Sequence, residues 1–319
     1  MRAKSGLIFC VGLAVFCSGI ANTVPLPNTG EAHEALATIP MQRNRDNLYT
    51  VNVSLGRSVS FLENPQADRL PFIVDTGANR TGVPRAIANQ LIADDDIIFD
   101  QTAHAVTGPF DTGLFIVDRL DFGLGPREVE LAVFDERDET VLSAAGILGS
   151  NAFREEIIVL DYPAAELRLM PQTASTTDMP LRFQDGLIAG EGRILGMSSP
   201  VRVFVDTGAN ASIVNSALVQ RHRTARIGRT AVIGGVSSRI VARGELRRLF
   251  GGFEVSGLCA GAFQIAVSDV YFFDRLGLID QPAILLGMDV LRHARITIDY
   301  GSGSARIEGV SNWRCQASE

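Results

Sequence analysis

Apolar and polar residues alternate over several short stretches of the chain, and this spacing predicts β-strands. Residues 49–55 (YTVNVSL) alternate with period two, and residues 71–74 (PFIV) and 201–205 (VRVFV) are short apolar runs. Glycine and proline interrupt the joins between such runs. Helical spacing is confined to brief segments at 86–91 and 216–220. The pattern therefore predicts a mainly β fold.

One six-residue sequence, VDTGAN, occurs twice, at residues 74–79 and 205–210. Further landmarks follow it in the same order in both halves of the chain. The segment 147–154 resembles the segment 285–292, which lies 138 residues further on, and each precedes an apolar strand that ends in Asp-Tyr. A repeated unit of this kind predicts that two related structural units make up the fold.

The repeat suggests how the chain is divided. A length of 319 residues suits two domains of ordinary size. We predict a first unit over residues 48–171 and a second over residues 181–309, joined by a short linker at 172–180. Residues 22–47 show little periodicity and are expected to be a leader or tether, and residues 310–319 are expected to be a C-terminal tail.

The first residues have the pattern of an export signal. Residues 1–4 carry positive charge, residues 6–17 are apolar, and small residues precede a cleavage point near Ala21. The apolar run is shorter than the roughly 20 residues that a spanning helix needs. We therefore expect residues 1–21 to be a signal peptide and the protein to be exported, either periplasmic or secreted. An uncleaved N-terminal segment that tethers the chain to a membrane is the alternative.

Composition and charge narrow the chemistry. The chain is 46% hydrophobic and 20% charged with a net charge of −7, which does not favour nucleic-acid binding. The histidines are scattered without metal-ligand spacing, so neither a metal nor another cofactor is expected. After export, Cys259 and Cys315 would be the remaining cysteines, and a disulfide between them is possible.

The order of these landmarks resembles a known family. An apolar strand, an Asp-Thr-Gly-Ala turn, a glycine-bearing hairpin, an apolar-apolar-Gly segment and a short helix follow one another in each unit. This order is similar to that of the retroviral-type (retropepsin-like) aspartic protease domain, and the second unit resembles its bacterial exported branch. The resemblance implies two β-barrel-type lobes related by a pseudo-two-fold axis, with the active site between them.

The resemblance also implies an activity and the residues that perform it. Peptide hydrolysis by an activated water needs one carboxylate that accepts a proton and one protonated carboxyl that donates. Two adjacent carboxyls share a proton in this way in aspartic proteases. Asp75 and Asp206 would be this catalytic pair, acting on an extended peptide or protein. Because one chain supplies both aspartates, the protein is expected to act as a monomer.

The neighbours of each aspartate are expected to support it. Threonine hydroxyls would bond to the opposite turn, and glycines would let the two backbones approach. Alanine in the fourth position of the motif lacks the hydroxyl usual in pepsin-like enzymes, which predicts a less acidic pH optimum. The supporting residues are Thr76, Gly77, Ala78, Thr207, Gly208 and Ala209.

Two hairpin tips are expected to close over the substrate as flaps. Gly108 would mark the first tip, and Gly234 and Gly235 the second, although an ordinary hairpin is also possible at these positions. A third Asp-Thr-Gly triplet, at residues 111–113, lacks the preceding apolar strand and is interpreted as part of the first hairpin. The alternative function is a catalytically silent peptide-binding module of the same fold.

The two units are not identical in length. Gly77 and Gly149 are 72 residues apart, whereas Gly208 and Gly287 are 79 residues apart. We therefore expect the substrate subsites on the two sides of the active site to differ.

Overall fold

The structure is a computed structural model that describes residues 6–9, 14–15, 34–56, 69–92, 97–134, 143–153, 156–174, 179–236 and 241–309. The chain is mainly β, with 56% strand and 11% helix, which confirms the predicted fold class at this level. Several predicted features lie wholly or partly outside the described residues. These are the signal peptide, the leader, the linker and the C-terminal tail with Cys315.

The first half of the described chain contains the following elements. They are β1 (Gly6–Phe9), β2 (Ala14–Val15), β3 (Ala37–Pro40), β4 (Gln42–Arg43), β5 (Tyr49–Gly56), β6 (Arg69–Val74), β7 (Thr81–Pro84), α1 (Arg85–Leu91), β8 (Ile98–Ala105), β9 (Gly108–Asp121), β10 (Arg127–Phe134), β11 (Gly146–Leu148), a 3-10 turn (Ser150–Phe153), β12 (Glu156–Asp161) and β13 (Glu166–Pro171).

The second half contains the remaining elements. They are β14 (Leu181–Gln184), β15 (Leu187–Ile194), β16 (Val201–Val205), β17 (Ile213–Val214), α2 (Ser216–Arg221), β18 (Thr224–Gly234), β19 (Val241–Leu249), β20 (Phe253–Val255), β21 (Leu258–Ala260), β22 (Phe263–Val267), α3 (Tyr271–Arg275), β23 (Ala283–Leu286), α4 (Met288–Leu291), β24 (Ala294–Asp299) and β25 (Ser304–Gly309). The strands predicted at 49–55, 71–74 and 201–205 are present as β5, β6 and β16, and the helices predicted at 86–91 and 216–220 are present as α1 and α2.

Among the described residues the strands form two sheets. The first has the order β2-β8-β9-β10-β7-β11-β6-β5-β4. The second has the order β1-β18-β19-β22-β17-β23-β16-β15-β14-β25-β24-β12-β13-β3, with β20 and β21 attached to β15. Strand β12 of the first repeat pairs antiparallel with β24 of the second, so the two repeats share this second sheet.

The strand before each VDTGAN turn has the same partners in both repeats. β6 pairs in parallel with β11, which also pairs antiparallel with β7. β16 pairs in parallel with β23, which also pairs antiparallel with β17. β11 and β23 are buried on both faces, and β16 is buried except at the half-buried Arg202, which explains their largely apolar sequence. Each VDTGAN turn therefore begins at the buried end of a strand, Phe72 to Val74 in β6 and Val203 to Val205 in β16.

The junction between the repeats is a packed apolar region. Ile158 and Leu160 on β12 pair with Ile298 and Ile296 on β24, and all four side chains are fully buried. Complete burial of one such side chain contributes about 1.5 to 3 kcal/mol relative to exposure. The two repeats are therefore joined through β12 and β24, the strands that follow the apolar-apolar-Gly segments.

Two long hairpins, β8–β9 and β18–β19, extend from the sheets, and N-terminal strands lie along their outer edges. β2 pairs antiparallel with β8 near His104, and β1 pairs in parallel with residues 231–234 of β18. Residues 37–43, which belong to the predicted leader, form β3 and β4 and pair with β13 and β5. The ordered sheets thus begin before residue 48.

In the part of the chain that the structure describes, no helix is long and apolar enough to cross a membrane.

Candidate active site

The two VDTGAN turns meet in the interior of the molecule and are joined by reciprocal hydrogen bonds. The Thr76 amide donates to Thr207 Oγ1 at 3.0 Å, and the Thr207 amide donates to Thr76 Oγ1 at 3.1 Å. Each hydroxyl in turn donates to the strand that leads into the opposite turn: Thr76 Oγ1 to the Val205 carbonyl at 3.1 Å, and Thr207 Oγ1 to the Val74 carbonyl at 2.7 Å. Both threonines are buried, so these bonds fix the relative position of the turns.

Glycine allows the two turns to approach this closely. A Cβ atom at Gly77 would lie 2.7 Å from Asp206 Oδ1, and a Cβ atom at Gly208 would lie 2.5 Å from Asp75 Cγ. Both separations are shorter than any real contact of a Cβ atom. Each glycine is therefore required by the carboxyl of the other turn.

Asp75 and Asp206 are both buried, with exposed fractions of 1% and 3%. Asp75 Oδ1 accepts a hydrogen bond from the Gly77 amide at 2.8 Å, and Asp206 Oδ1 accepts one from the Gly208 amide at 2.9 Å. Among the described residues, Asp75 Oδ2 has no hydrogen-bond donor, although it is buried beside the carboxyl of Asp206. A proton held between the two carboxyls would satisfy this oxygen.

The environment disfavours ionisation of this pair. Burial and the neighbouring Asp206 charge hold the pKa of Asp75 well above its ordinary value. Burial also raises the pKa of Asp206, while the Gly208 amide, the Asp75 side chain and the Ala209 amide oppose this rise. The site therefore retains a proton at a pH where an ordinary aspartate is ionised.

The apolar-apolar-Gly segments pass directly behind the turns. The Asp75 amide donates to the Leu148 carbonyl at 3.1 Å, and the Asp206 amide donates to the Leu286 carbonyl at 3.0 Å. The glycine that follows each segment is tightly packed, since a Cβ atom at Gly149 would lie 2.4 Å from the backbone of Arg80. Ala78 and Ala209 are fully buried in the same region. These segments hold the backbone of both VDTGAN turns.

A cavity opens beside Asp206, between the first hairpin and the second repeat. Gly77 and Asp206 form part of its lining, with Ala105 and Val106 from the hairpin tip and Leu187 and Leu285 from the second repeat. The remaining lining residues are His104, Tyr271, Phe272 and Arg275. The lining is thus largely apolar near the carboxyls and carries polar groups from β8 and α3.

The first hairpin is bonded to α3 of the second repeat. His104 Nδ1 and the Tyr271 hydroxyl are 2.9 Å apart, and their rings are stacked. The Phe272 amide donates to the Val106 carbonyl at 3.1 Å. Burial and the Arg275 guanidinium lower the pKa of His104, which favours its neutral form. The hairpin therefore rests on the second repeat over the cavity.

Sequence reasoning identified the two turns but missed the residues of α3. Gly108 lies at the turn of the first hairpin, but Ala105 and Val106 line the cavity there. Gly234 ends β18 and is followed by Gly235, and the tip of this hairpin lies outside the described residues. The available signal for α3 was the greater length of the second unit, together with the aromatic sequence at residues 271–273.

Two other features of the sequence lie away from this site. The third triplet, Asp111 to Gly113, lies within β9, where the Thr112 hydroxyl donates to the Val133 carbonyl at 2.7 Å. Cys259 forms a disulfide bond, and its partner lies outside the described residues. Pairing of Cys259 with Cys315 stays a prediction.

The chain matches no protein-family model and no curated protein sequence. The functional interpretation consequently depends on the sequence and on the geometry of the site.

Proposed function

We propose that the protein is a single-chain aspartic endopeptidase whose active site lies between two retropepsin-like lobes related by a pseudo-two-fold axis. The observation that carries this proposal is the reciprocal hydrogen bonding of two identical turns, which places Asp75 and Asp206 together in a buried site. A structural turn would not need two carboxyls side by side, since burial of like charges is unfavourable.

The proposed reaction uses the pair in its singly protonated state. The ionised carboxyl accepts a proton from a water molecule, and the protonated carboxyl donates to the oxygen of the scissile carbonyl. The raised pKa values of Asp75 and Asp206 keep this state populated at mildly acidic to neutral pH. Alanine at positions 78 and 209 provides no additional hydroxyl to stabilise the ionised form, in agreement with a less acidic pH optimum.

The hairpin edges support binding of an extended peptide. In the structure, β8 and β18 each accept a short N-terminal strand by main-chain pairing. A substrate strand would use the same donors and acceptors. In an exported chain cleaved near Ala21, residues 6–9 and 14–15 would be removed and both edges would be open to a substrate.

The cavity beside Asp206 would accept one apolar side chain next to the scissile bond. Val106, Leu187 and Leu285 provide its apolar surface, and α3 provides Phe272. This composition favours cleavage beside a medium-sized apolar residue.

The test uses the full chain and a diverse peptide library over pH 3 to 8, with cut sites identified by mass spectrometry. Asp75→Asn and Asp206→Asn should each abolish cleavage while circular dichroism stays unchanged. Asp111→Asn is the matched control, because it changes the aspartate of an identical triplet outside the site. Cleavage that persists in either active-site variant would refute the assignment, and peptide binding without turnover in the wild type would favour a silent binding module.

A further inference from the structure

A hydrogen-bond chain in the second repeat connects the partly buried Asp289 with the catalytic turn. The Ser212 hydroxyl donates to Asp289 Oδ1 at 2.7 Å and accepts from the Gly287 amide at 3.1 Å. Ser212 is fully buried, and the Val290 amide also donates to Asp289 Oδ1 at 3.1 Å. Asp289 thus fixes the Ser212 hydroxyl, which in turn accepts the hydrogen bond from the Gly287 amide.

Gly287 lies between the two residues that support the second catalytic turn. The preceding residue, Leu286, accepts a hydrogen bond from the Asp206 amide at 3.0 Å. The following residue, Met288, donates from its amide to the Ala209 carbonyl at 2.7 Å. A shift of Gly287 would therefore move both backbone contacts that fix the Asp206 turn.

The first repeat has the same chain with one chemical difference. The Thr81 hydroxyl donates to Asn151 Oδ1 at 2.9 Å and accepts from the Gly149 amide at 3.2 Å. Asn151 Nδ2 also donates to the Glu130 carbonyl at 2.7 Å, which ties this chain to β10. Thr81 and Asn151 therefore occupy the places of Ser212 and Asp289, but the amide accepts and donates at every pH.

A carboxyl in this position can donate a hydrogen bond only when it is protonated. Asp289 lines a surface cavity with Gln264, whose place on β22 corresponds to that of Glu130 on β10. The charged groups that face this cavity are Arg248 of β19 and Arg292, which follows α4. Burial raises the pKa of Asp289 to about 6, and the hydrogen bonds from Ser212 and the charge of Arg292 oppose the rise.

We propose that Asp289 is a positioning residue for Asp206, and that its ionisation makes the support of the second catalytic turn, but not of the first, dependent on pH. This inference rests on the proposed endopeptidase function. The ionised carboxylate accepts a charge-assisted hydrogen bond from Ser212, which is roughly twice as strong as a neutral one. Protonation weakens this bond, so the second turn is held less firmly on the acidic side of pH 6.

The test compares Asp289→Ala, Asp289→Asn and Asn151→Asp in the full chain, with kcat and KM measured from pH 4 to 8. Asp289→Ala should lower kcat on the order of tenfold with KM little changed, because the catalytic carboxyl is displaced rather than removed. Asp289→Asn reproduces the first repeat, so it should restore kcat, and the ratio of its kcat to that of the wild type should rise as the pH falls below about 6. The catalytic pair titrates in the same range in both proteins, so its effect cancels in this ratio. Asn151→Asp should introduce an additional step, since it places a titratable carboxyl behind Asp75.

The proposal is overturned if Asp289→Ala keeps the wild-type kcat, or if Asp289→Asn keeps the wild-type pH profile. If Asp289→Ala fails to fold, the pH profile of Asp289→Asn alone decides. The endopeptidase assignment fails on a different result, which is cleavage by Asp75→Asn. The two failures can therefore be told apart in one set of assays.

Discussion

Replacing Asp206 by asparagine should increase the stability of the protein while abolishing its activity. The substitution keeps the shape of the side chain but removes a buried group that can ionise beside Asp75. A carboxyl whose pKa is higher in the folded state than in the unfolded state binds its proton more tightly in the folded state. The contribution of this carboxyl to stability is therefore fully present at low pH. It is lost as the pH rises from the pKa of the unfolded state through the pKa of the folded state.

The magnitude follows from the pKa of Asp206, which burial raises from 3.8 to about 6. A pKa that is higher by about two in the folded state destabilises the fold by roughly 3 kcal/mol at pH values above both pKa values. The Asp206→Asn variant has no such group. Its free energy of unfolding should therefore exceed that of the wild type by close to zero at pH 4 and by between about 1 and 3 kcal/mol at pH 7.5. The shared proton of the pair keeps the gain below the upper figure.

The assay is urea unfolding followed by circular dichroism at pH 4 and pH 7.5 for the wild type and the variant. Peptide cleavage is measured on the same samples. Asp111→Asn serves as the control, because Asp111 is exposed and should leave the difference between the two pH values unchanged. An Asp206→Asn protein that is no more stable than the wild type at pH 7.5 would refute the reasoning that the carboxyl is held in a destabilising environment.

Three further predictions concern the same site. Gly208→Ala should abolish cleavage and destabilise the fold, because its Cβ atom would lie 2.5 Å from Asp75 Cγ, whereas Gly261→Ala, with no atom within 4 Å, should behave as the wild type in both assays. Thr207→Val leaves the Val74 carbonyl and the Thr76 amide without a hydrogen-bond partner and should lower the free energy of unfolding by about 2 to 5 kcal/mol in urea titrations. Thr207→Ser keeps the hydroxyl and should recover most of this loss, so equal losses in the two variants would contradict the role of the hydroxyl. Activity per molecule should stay constant when the protein is diluted from micromolar to nanomolar concentration, and a loss that follows the dissociation of a dimer in sedimentation experiments would contradict a single-chain site.

The sequence alone predicted the mainly β class, the individual strands around each VDTGAN turn and the two short helices. These features depend on local periodicity and on the residues that terminate strands, so they can be recognised without knowledge of the fold. The repeated motif also distinguished Asp75 and Asp206 from the other aspartates of the chain. Its glycines and threonines were informative because their roles are dictated by the backbone of the turn itself.

Only the tertiary structure brought together residues that are distant in the chain. The threonine bonds join residues 131 positions apart, and the His104 contact with Tyr271 joins residues 167 positions apart. Strand pairing likewise placed residues 37–43 of the predicted leader in the sheets. Such contacts follow from how sheets and hairpins pack, and local periodicity contains no information about that packing.

Asp289 shows the same limit. In the sequence it belongs to the repeated segment 285–292, but the spacing of that segment does not show which residue Asp289 contacts. Its bond to Ser212, and the correspondence of this bond with that of Thr81 and Asn151, exist only after both repeats have folded. The sequence thus determined the two VDTGAN turns, whereas the folded structure decided which groups contact them and how far each is buried, because both depend on partners far away in the chain.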